Sequence, residues 1–195
     1  MLNDIFENII TTLENPAKEK NLKLSYFMDE KIDFAILSDP LRLTQILTNL
    51  VSNSIKFTAK GAIHCEAKLK NKNTIQLMVS DTGIGIPKDK LSTIFDQYEQ
   101  VRTKVQKKYK GTGLGLAISK KLVELMHGNI SIKSRVNEGT SFIIQLPFEK
   151  AEIQKQVTSA TVKKDAAFLD NKTILIVDDF DDNRFIVKET LLFFS

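Results

Sequence analysis

Cysteine occurs once in the 195 residues, as Cys65, so the chain holds no intramolecular disulfide and no cysteine-built zinc site. Its two histidines, His64 and His127, lie far apart and make a poor metal cluster. Tryptophan is absent, and glycine and proline number only eight and four, which excludes collagen-like and low-complexity classes. No apolar run approaches the ~18 to 20 residues that a membrane span needs. The opening MLNDIFENIITTLENP carries acidic residues where a signal peptide carries basic ones. Charge of one sign is also lacking: 28 basic against 24 acidic residues leave +4, too mild to imply a nucleic-acid partner. The expectation is a soluble, cytoplasmic chain without membrane contact. With 42% hydrophobic residues, twelve of them Phe, it has the material for one sizeable core, and ~150 residues per domain leaves a remainder beyond it.

Leu2, Ile5, Phe6, Ile9, Ile10 and Leu13 recur at three- and four-residue spacings, the stripe of an amphipathic helix over residues 2 to 19. LKLSYFM (22 to 28) and DFAIL (33 to 37) read as strands. Asp39-Pro40 opens a long helix to about Phe57, because Asp caps free amides and Pro suits the first helical position. Its core face is Leu43, Ile46, Leu47, Leu50 and Ile55; Gln45, Asn49, Asn53 and Lys56 form a polar stripe on another face. AIHCEAKLK and TIQLMVS flank Asn71-Lys72-Asn73 as an antiparallel hairpin ending at Asp81, and NISIKSRV and TSFIIQLPF form a second hairpin. Gly113 to His127 reads as a helix apolar nearly all round, hence buried. Residues 88 to 112 make a polar, lysine-rich connection longer than a compact domain usually tolerates.

Three motifs carry chemistry. Asp81-Thr82-Gly83-Ile84-Gly85-Ile86-Pro87 places a carboxylate at a strand end, with glycines that let backbone approach a flat ligand. A carboxylate only accepts and adenine's exocyclic amine only donates, so Asp81 suits adenine; the same residues also fit a tight turn closed by an Asx hydrogen bond. Gly111-Thr112-Gly113-Leu114-Gly115-Leu116 precedes a helix whose free amides can face phosphate oxygens, or it is a hinge. Its spacing matches neither the Walker nor the G-x-G-x-x-G pattern. Asn49 and Asn53, one turn apart, offer amide oxygens of the kind Mg²⁺ accepts beside phosphates and water, with Lys56 nearby; a solvated polar face is the alternative. The basic run Arg102, Lys104, Lys107, Lys108 and Lys110 fits phosphate contact from a lid.

In this order the motifs resemble the catalytic ATP-binding domain of sensor histidine kinases, within the superfamily shared with gyrase, Hsp90 and MutL. The likeness spans about residues 22 to 148. It rests on DPLRLTQILTNLVSNSIKFT (39 to 58), DTGIGIP (81 to 87), IFDQYEQ (94 to 100), GTGLGLAISKKLVELMHG (111 to 128) and NEGTSFIIQLP (137 to 147). It implies an α/β (α+β) two-layer sandwich of the Bergerat type, a mixed, mainly antiparallel sheet packed on helices with an ATP lid. It further implies ATP and Mg²⁺ as cofactors. Asn53 is then the principal Mg²⁺ ligand, Asn49 and Lys56 assist at the phosphates, and Asp81 reads adenine with Thr140 nearby. Gly83, Gly85, Ile86, Tyr98, Lys110, Thr112, Leu114 and Leu116 line the nucleotide, and Gly111, Gly113 and Gly115 work the lid. Relatives that hydrolyse ATP carry a glutamate where this chain has Asn49, an amide unable to take a proton, so slow hydrolysis is expected.

Residues 172 to 195, beginning TILIVDD, resemble the first strand and helix of a response-regulator receiver, with Asp178 and Asp179 as its metal-holding acids. The resemblances together divide the chain into a junction helix (1–21), the catalytic domain (22–149), a linker (150–171) and a receiver fragment (172–195). They imply a hybrid sensor kinase whose histidine-bearing dimerisation domain is absent from this chain, and whose parent is a homodimer in a phosphorelay, itself open to membrane anchoring. A receiver domain or response regulator is the implied downstream partner. The rival readings are a non-catalytic ATP-binding or interaction module and, third, a gyrase- or Hsp90-like hydrolytic ATPase.

Overall fold

Alternation of apolar and polar residues along three consecutive strands sets the architecture. Ile63, Cys65 and Ala67, then Ile75, Leu77 and Val79, then Phe142, Ile144 and Leu146 all turn to one buried face. Helices cover that face. The structure, a computed structural model, describes residues 2–96, 113–151, 173 and 175. The chain divides into two compact units, Met1–Glu152 and Ile153–Ser195, and the fold below is that of the first.

Its elements in order are α1 (Leu2–Glu19), β1 (Leu22–Met28), β2 (Ile36–Leu37), α2 (Pro40–Phe57), β3 (Gly61–Asn71), β4 (Thr74–Asp81), a 3-10 turn at Lys88–Lys90, α3 (Gly115–Leu125), β5 (Asn129–Arg135), β6 (Gly139–Pro147) and β7 (Glu149–Lys150). Five strands form one sheet in the order β1-β3-β4-β6-β5. Only β1 and β3 run parallel, which a helical crossover through α2 permits; the other pairs are antiparallel. The mixed, mainly antiparallel sheet packed on helices is thus the expected two-layer sandwich. β4 is the central strand, and its last residue, Asp81, lies between Ile63 of β3 and Thr140 of β6.

α2 begins as its sequence dictates: the Asp39 side chain accepts from the Arg42 amide at 3.1 Å, and Pro40 occupies the first turn. Its stripe Leu43, Ile46, Leu47, Leu50, Val51 and Ile55 is buried, together with one polar residue, Ser54. α1 contributes Leu2, Phe6, Ile9 and Ala17 to the same core. Lys20, just past α1, donates through Nζ to the carbonyls of Ile55 (2.8 Å) and Lys56 (3.0 Å), groups that the end of α2 leaves without helical partners. The helix that the sequence sets apart as a junction is therefore packed and hydrogen-bonded into the sandwich.

Two expectations give way to the structure. Of DFAIL only Ile36–Leu37 is a strand, and it pairs with Glu149–Lys150 in a separate two-stranded sheet. Phe34 instead stacks on Phe148 with ring centroids 5.2 Å apart, so the segment is held by side-chain packing more than by backbone pairing. α3 is one-sided and not buried all round: Ser119 and Val123 face the core, while Ile118 and Leu125 are 44% and 64% exposed. A two-layer sandwich covers each helix on one side only, whatever the composition of the other. No helix among the described residues is long and apolar enough to cross a membrane.

Candidate functional site

Asp81 ends β4 where the sheet meets the C-terminal half of α2. Its Oδ1 accepts from the Gly83 amide at 2.9 Å and its Oδ2 from Ser54 Oγ at 3.0 Å. Burial pushes the carboxyl above its ordinary pKa, partly offset by the Gly83 amide, the Ser54 hydroxyl and the Thr140 amide, all of which favour the charged form. Thr140 is buried on β6, and its hydroxyl shares a 2.9 Å hydrogen bond with Ser134 Oγ. Ser134 Oγ in turn accepts from the Ile86 amide at 2.8 Å, so the loop after β4 is tied to the second hairpin.

The glycines of that loop are close-packed. A Cβ on Gly83 would lie 2.6 Å from the Phe57 carbonyl oxygen and 2.9 Å from Thr58 Oγ1, and Gly85 has φ +66° against the Arg135 carbonyl. Thr58 Oγ1 is itself buried with no hydrogen-bond partner.

One residue before Ser54 stands Asn53, on the polar stripe of α2. Asn53 Nδ2 donates to Asn49 Oδ1 at 3.3 Å, and Asn49 Nδ2 donates to Ser119 Oγ of α3 at 2.8 Å. Gly115, the first residue of α3, is so close that a Cβ there would meet Asn49 Oδ1. Gly113 has φ +72°, and Leu114 caps α3 without any side-chain hydrogen bond, which leaves the first amides of that helix open to a ligand. Leu116 is partly buried against the core. Lys56 lies three residues after Asn53 on α2, its Nζ 5.2 Å from the centroid of the Phe57 ring.

The sequence-selected residues therefore fall into one continuous band: Asp81, Gly83 and Thr140 at the sheet end, Asn53 and Asn49 along α2, Gly115 at the start of α3. Tyr98, Lys110, Gly111 and Thr112, with nearly all of the expected lid, lie outside the described residues, as do Asp178 and Asp179. Four polar residues that the sequence reading passed over belong to the band: Ser54, Thr58, Ser119 and Ser134. Their signal was present for Ser54 and Ser119, which interrupt the apolar stripes of α2 and α3 at core positions. A polar residue there needs a partner.

The donor set suits an adenine nucleotide with a hard cation. The Asp81 carboxylate accepts from Gly83 and Ser54 and faces the Thr140 amide, and its roughly four lone-pair sites still leave acceptor capacity for an exocyclic amine. Among the described residues no group of three or more His, Cys, Asp or Glu gathers to hold a metal ion alone. A cation here would need ligands beyond the protein, as one bound with phosphates has.

Residues 38–150, more than half of the chain, match the family model described as histidine kinase-, DNA gyrase B-, and HSP90-like ATPase. The chain belongs to this family. Similar proteins include the autoinducer 2 sensor kinase/phosphatase LuxQ of Vibrio vulnificus, 36% identical over 192 residues covering 94% of this chain and 22% of LuxQ. Sensor protein GacS of Pseudomonas syringae is 39% identical over 159 residues, covering 80% of this chain and 18% of GacS. The chain thus spans about a fifth of the length of these curated relatives. Among solved structures, full-length ShkA in complex with AMPPNP superposes with a TM-score of 0.70 at 28% identity, covering 77% of this chain and 31% of ShkA. The catalytic domain of histidine kinase ThkA gives 0.64 at 27% identity, covering 75% of this chain and 93% of that domain. The mixed sheet packed on helices is the fold of these histidine kinase catalytic domains.

Proposed function

We propose that this chain is the ATP-binding catalytic domain of a hybrid sensor histidine kinase. It passes the γ-phosphoryl group of ATP to a histidine on a dimerisation domain. The observation that carries the reading is the continuity of the band: a desolvated carboxylate at the end of the central strand, one helical residue from an amide pair that reaches the uncapped start of α3. Adenine, metal and phosphate contacts follow one another at that spacing.

In this reading Asp81 accepts from the adenine amine, with Thr140 and the Gly83–Ile86 backbone around the base. Asn53 is the protein's ligand for Mg²⁺, and Asn49 and Lys56 act near the phosphates. The amides at Gly113, Leu114, Gly115 and Leu116 face phosphate oxygens, helped by Tyr98, Lys110, Gly111 and Thr112 of the lid. Mg²⁺, when bound, neutralises phosphate charge. Transfer to a histidine asks the protein mainly to orient the nucleotide, because a neutral imidazole already carries the attacking lone pair. Asn49 has no basic lone pair with which to take a proton from water, which favours transfer over hydrolysis. The parent is read as a homodimer with its catalytic part in the cytoplasm, and residues 172–195, with Asp178 and Asp179, as the start of its receiver.

Neither histidine of this chain is an acceptor. His64 sits within β3, its Nδ1 3.1 Å from Ser25 Oγ, and His127 follows α3 with φ +57°. Incubated with ATP and Mg²⁺, the chain should stay unlabelled, and a supplied dimerisation domain of a hybrid kinase should gain acid-labile phosphate. Nucleotide binding without any labelling of that domain would favour the non-catalytic module.

A second expectation concerns Ser54. Its hydroxyl stabilises the charged carboxylate, so Ser54→Ala raises the Asp81 pKa further. Adenine recognition needs the acceptor form and is lost as pH falls through that pKa. ADP titrations across the acidic range should therefore show the variant losing affinity at a higher pH than wild type, with little difference at pH 8. Superimposable pH profiles would remove Ser54 from the site.

A further inference from the structure

We propose that Ser119 is a positioning residue for the cation site: it holds the Asn49 amide in the orientation that leaves Asn53 Oδ1 free for a divalent metal. This rests on the nucleotide reading above and extends it to a residue on a different helix. Ser119 is one of two fully buried residues of α3, and a buried hydroxyl without a partner costs free energy, so its placement against Asn49 is a structural commitment.

The geometry is a directional relay. Each amide has one oxygen and one NH₂ group, and only the oxygen suits a hard cation. Asn49 Nδ2 donates to Ser119 Oγ at 2.8 Å, which turns Asn49 Oδ1 toward Asn53. Asn53 Nδ2 donates to that oxygen at 3.3 Å, which turns Asn53 Oδ1 away from the relay. With both NH₂ groups committed, Asn53 keeps its oxygen for the metal. Gly115 leaves Asn49 Oδ1 the room to hold this pose, since any side chain there would strike it. Without the Ser119 hydroxyl the Asn49 NH₂ group loses its acceptor. A flip of that amide then presents NH₂ to Asn53, whose oxygen turns inward to accept from it. The relay also links the start of α3, where phosphates are expected, to the metal ligand on α2.

The experiment is calorimetry of the full chain with ADP, once with Mg²⁺ and once with EDTA. Ser119→Ala should cut the Mg²⁺-dependent gain in affinity by roughly 2- to 10-fold, the value of one hydrogen bond, and leave affinity in EDTA unchanged. Ser119→Cys, nearly the same size but a weak hydrogen-bonding group, should behave alike and guards against a packing defect in the alanine variant. In an Asn49→Ala background the Ser119→Ala change should have no further effect on the Mg²⁺ gain. A merely structural serine would lower affinity equally in both media, and that result overturns the proposal. So do an unchanged Mg²⁺ gain in both Ser119 variants and independent, additive losses in the double variant. Wild-type chain that binds no ADP in either medium would instead remove the nucleotide reading, and the proposal with it.

Discussion

Asp81→Asn should bind ADP about 1 to 3 kcal/mol more weakly than wild type and yet fold at least as stably. The affinity loss, roughly 5- to 150-fold, arises because an amide turns one of the two side-chain acceptors into a donor. The stability follows from the same hydrogen bonds. Asn Oδ1 can still accept from the Gly83 amide, and its NH₂ group can donate to Ser54 Oγ, so neither partner is orphaned. The charge is what disappears. A carboxyl whose folded-state pKa lies above its unfolded value holds its proton better when folded. Its ionisation therefore penalises the fold above the folded pKa, and the penalty vanishes below the unfolded one. At neutral pH wild type carries that penalty and the asparagine variant does not. Thermal melts at pH 7 should show the variant equal or higher, and the gap should close as pH drops through the Asp81 pKa. A variant that melts much lower would mean that its weak binding reports a damaged fold.

That opposition between stability and ligand reading explains why the sequence singles out these residues as a candidate site. An acid at the end of an apolar strand, followed by two glycines, is a poor choice for stability alone, and the amide stripe on α2 is conspicuous because its opposite face is apolar. The five strands of the main sheet, the Asp39-Pro40 start of α2 and the hairpin at Asn71-Asn73 were equally legible, since periodicity and caps are local signals. Tertiary facts were not. The exposed side of α3 depends on how many layers the fold has, and the pairing of Ile36–Leu37 with Glu149–Lys150 joins residues more than 100 positions apart. Ser54 and Ser119 mark the boundary between the two cases. Their positions in apolar stripes were visible, whereas their partners, Asp81 and Asn49, were fixed only when β4 and α3 came to rest beside α2.

Gly139→Ala should damage both fold and site, because this glycine has its backbone against the strand end that bears Asp81. Gly139 opens β6 with φ +116°, a conformation that side chains rarely adopt, so the substitution strains the backbone by about 1 to 3 kcal/mol before any contact is considered. The added Cβ would also run into the Asp81 carbonyl oxygen and lie 2.8 Å from the Asp81 carbonyl carbon. Both obstacles are backbone, which cannot swing aside as a flexible side chain would. Relief requires the end of β4 to move away from β6, and with it the Asp81 carboxylate and its approach to the Thr140 amide. Melting temperature should fall by several degrees. Below the melt, ADP affinity should drop at least roughly tenfold, since an acceptor displaced beyond hydrogen-bond reach is equivalent to its loss. Asn137 supplies the control from the same turn. It also has positive φ, +63°, and joins Ile84 only through its amide, a bond that glycine keeps, so Asn137→Gly should preserve ADP affinity. If Gly139→Ala matches wild type in both melting and ADP binding, the close approach of β6 to Asp81 has no part in shaping the site.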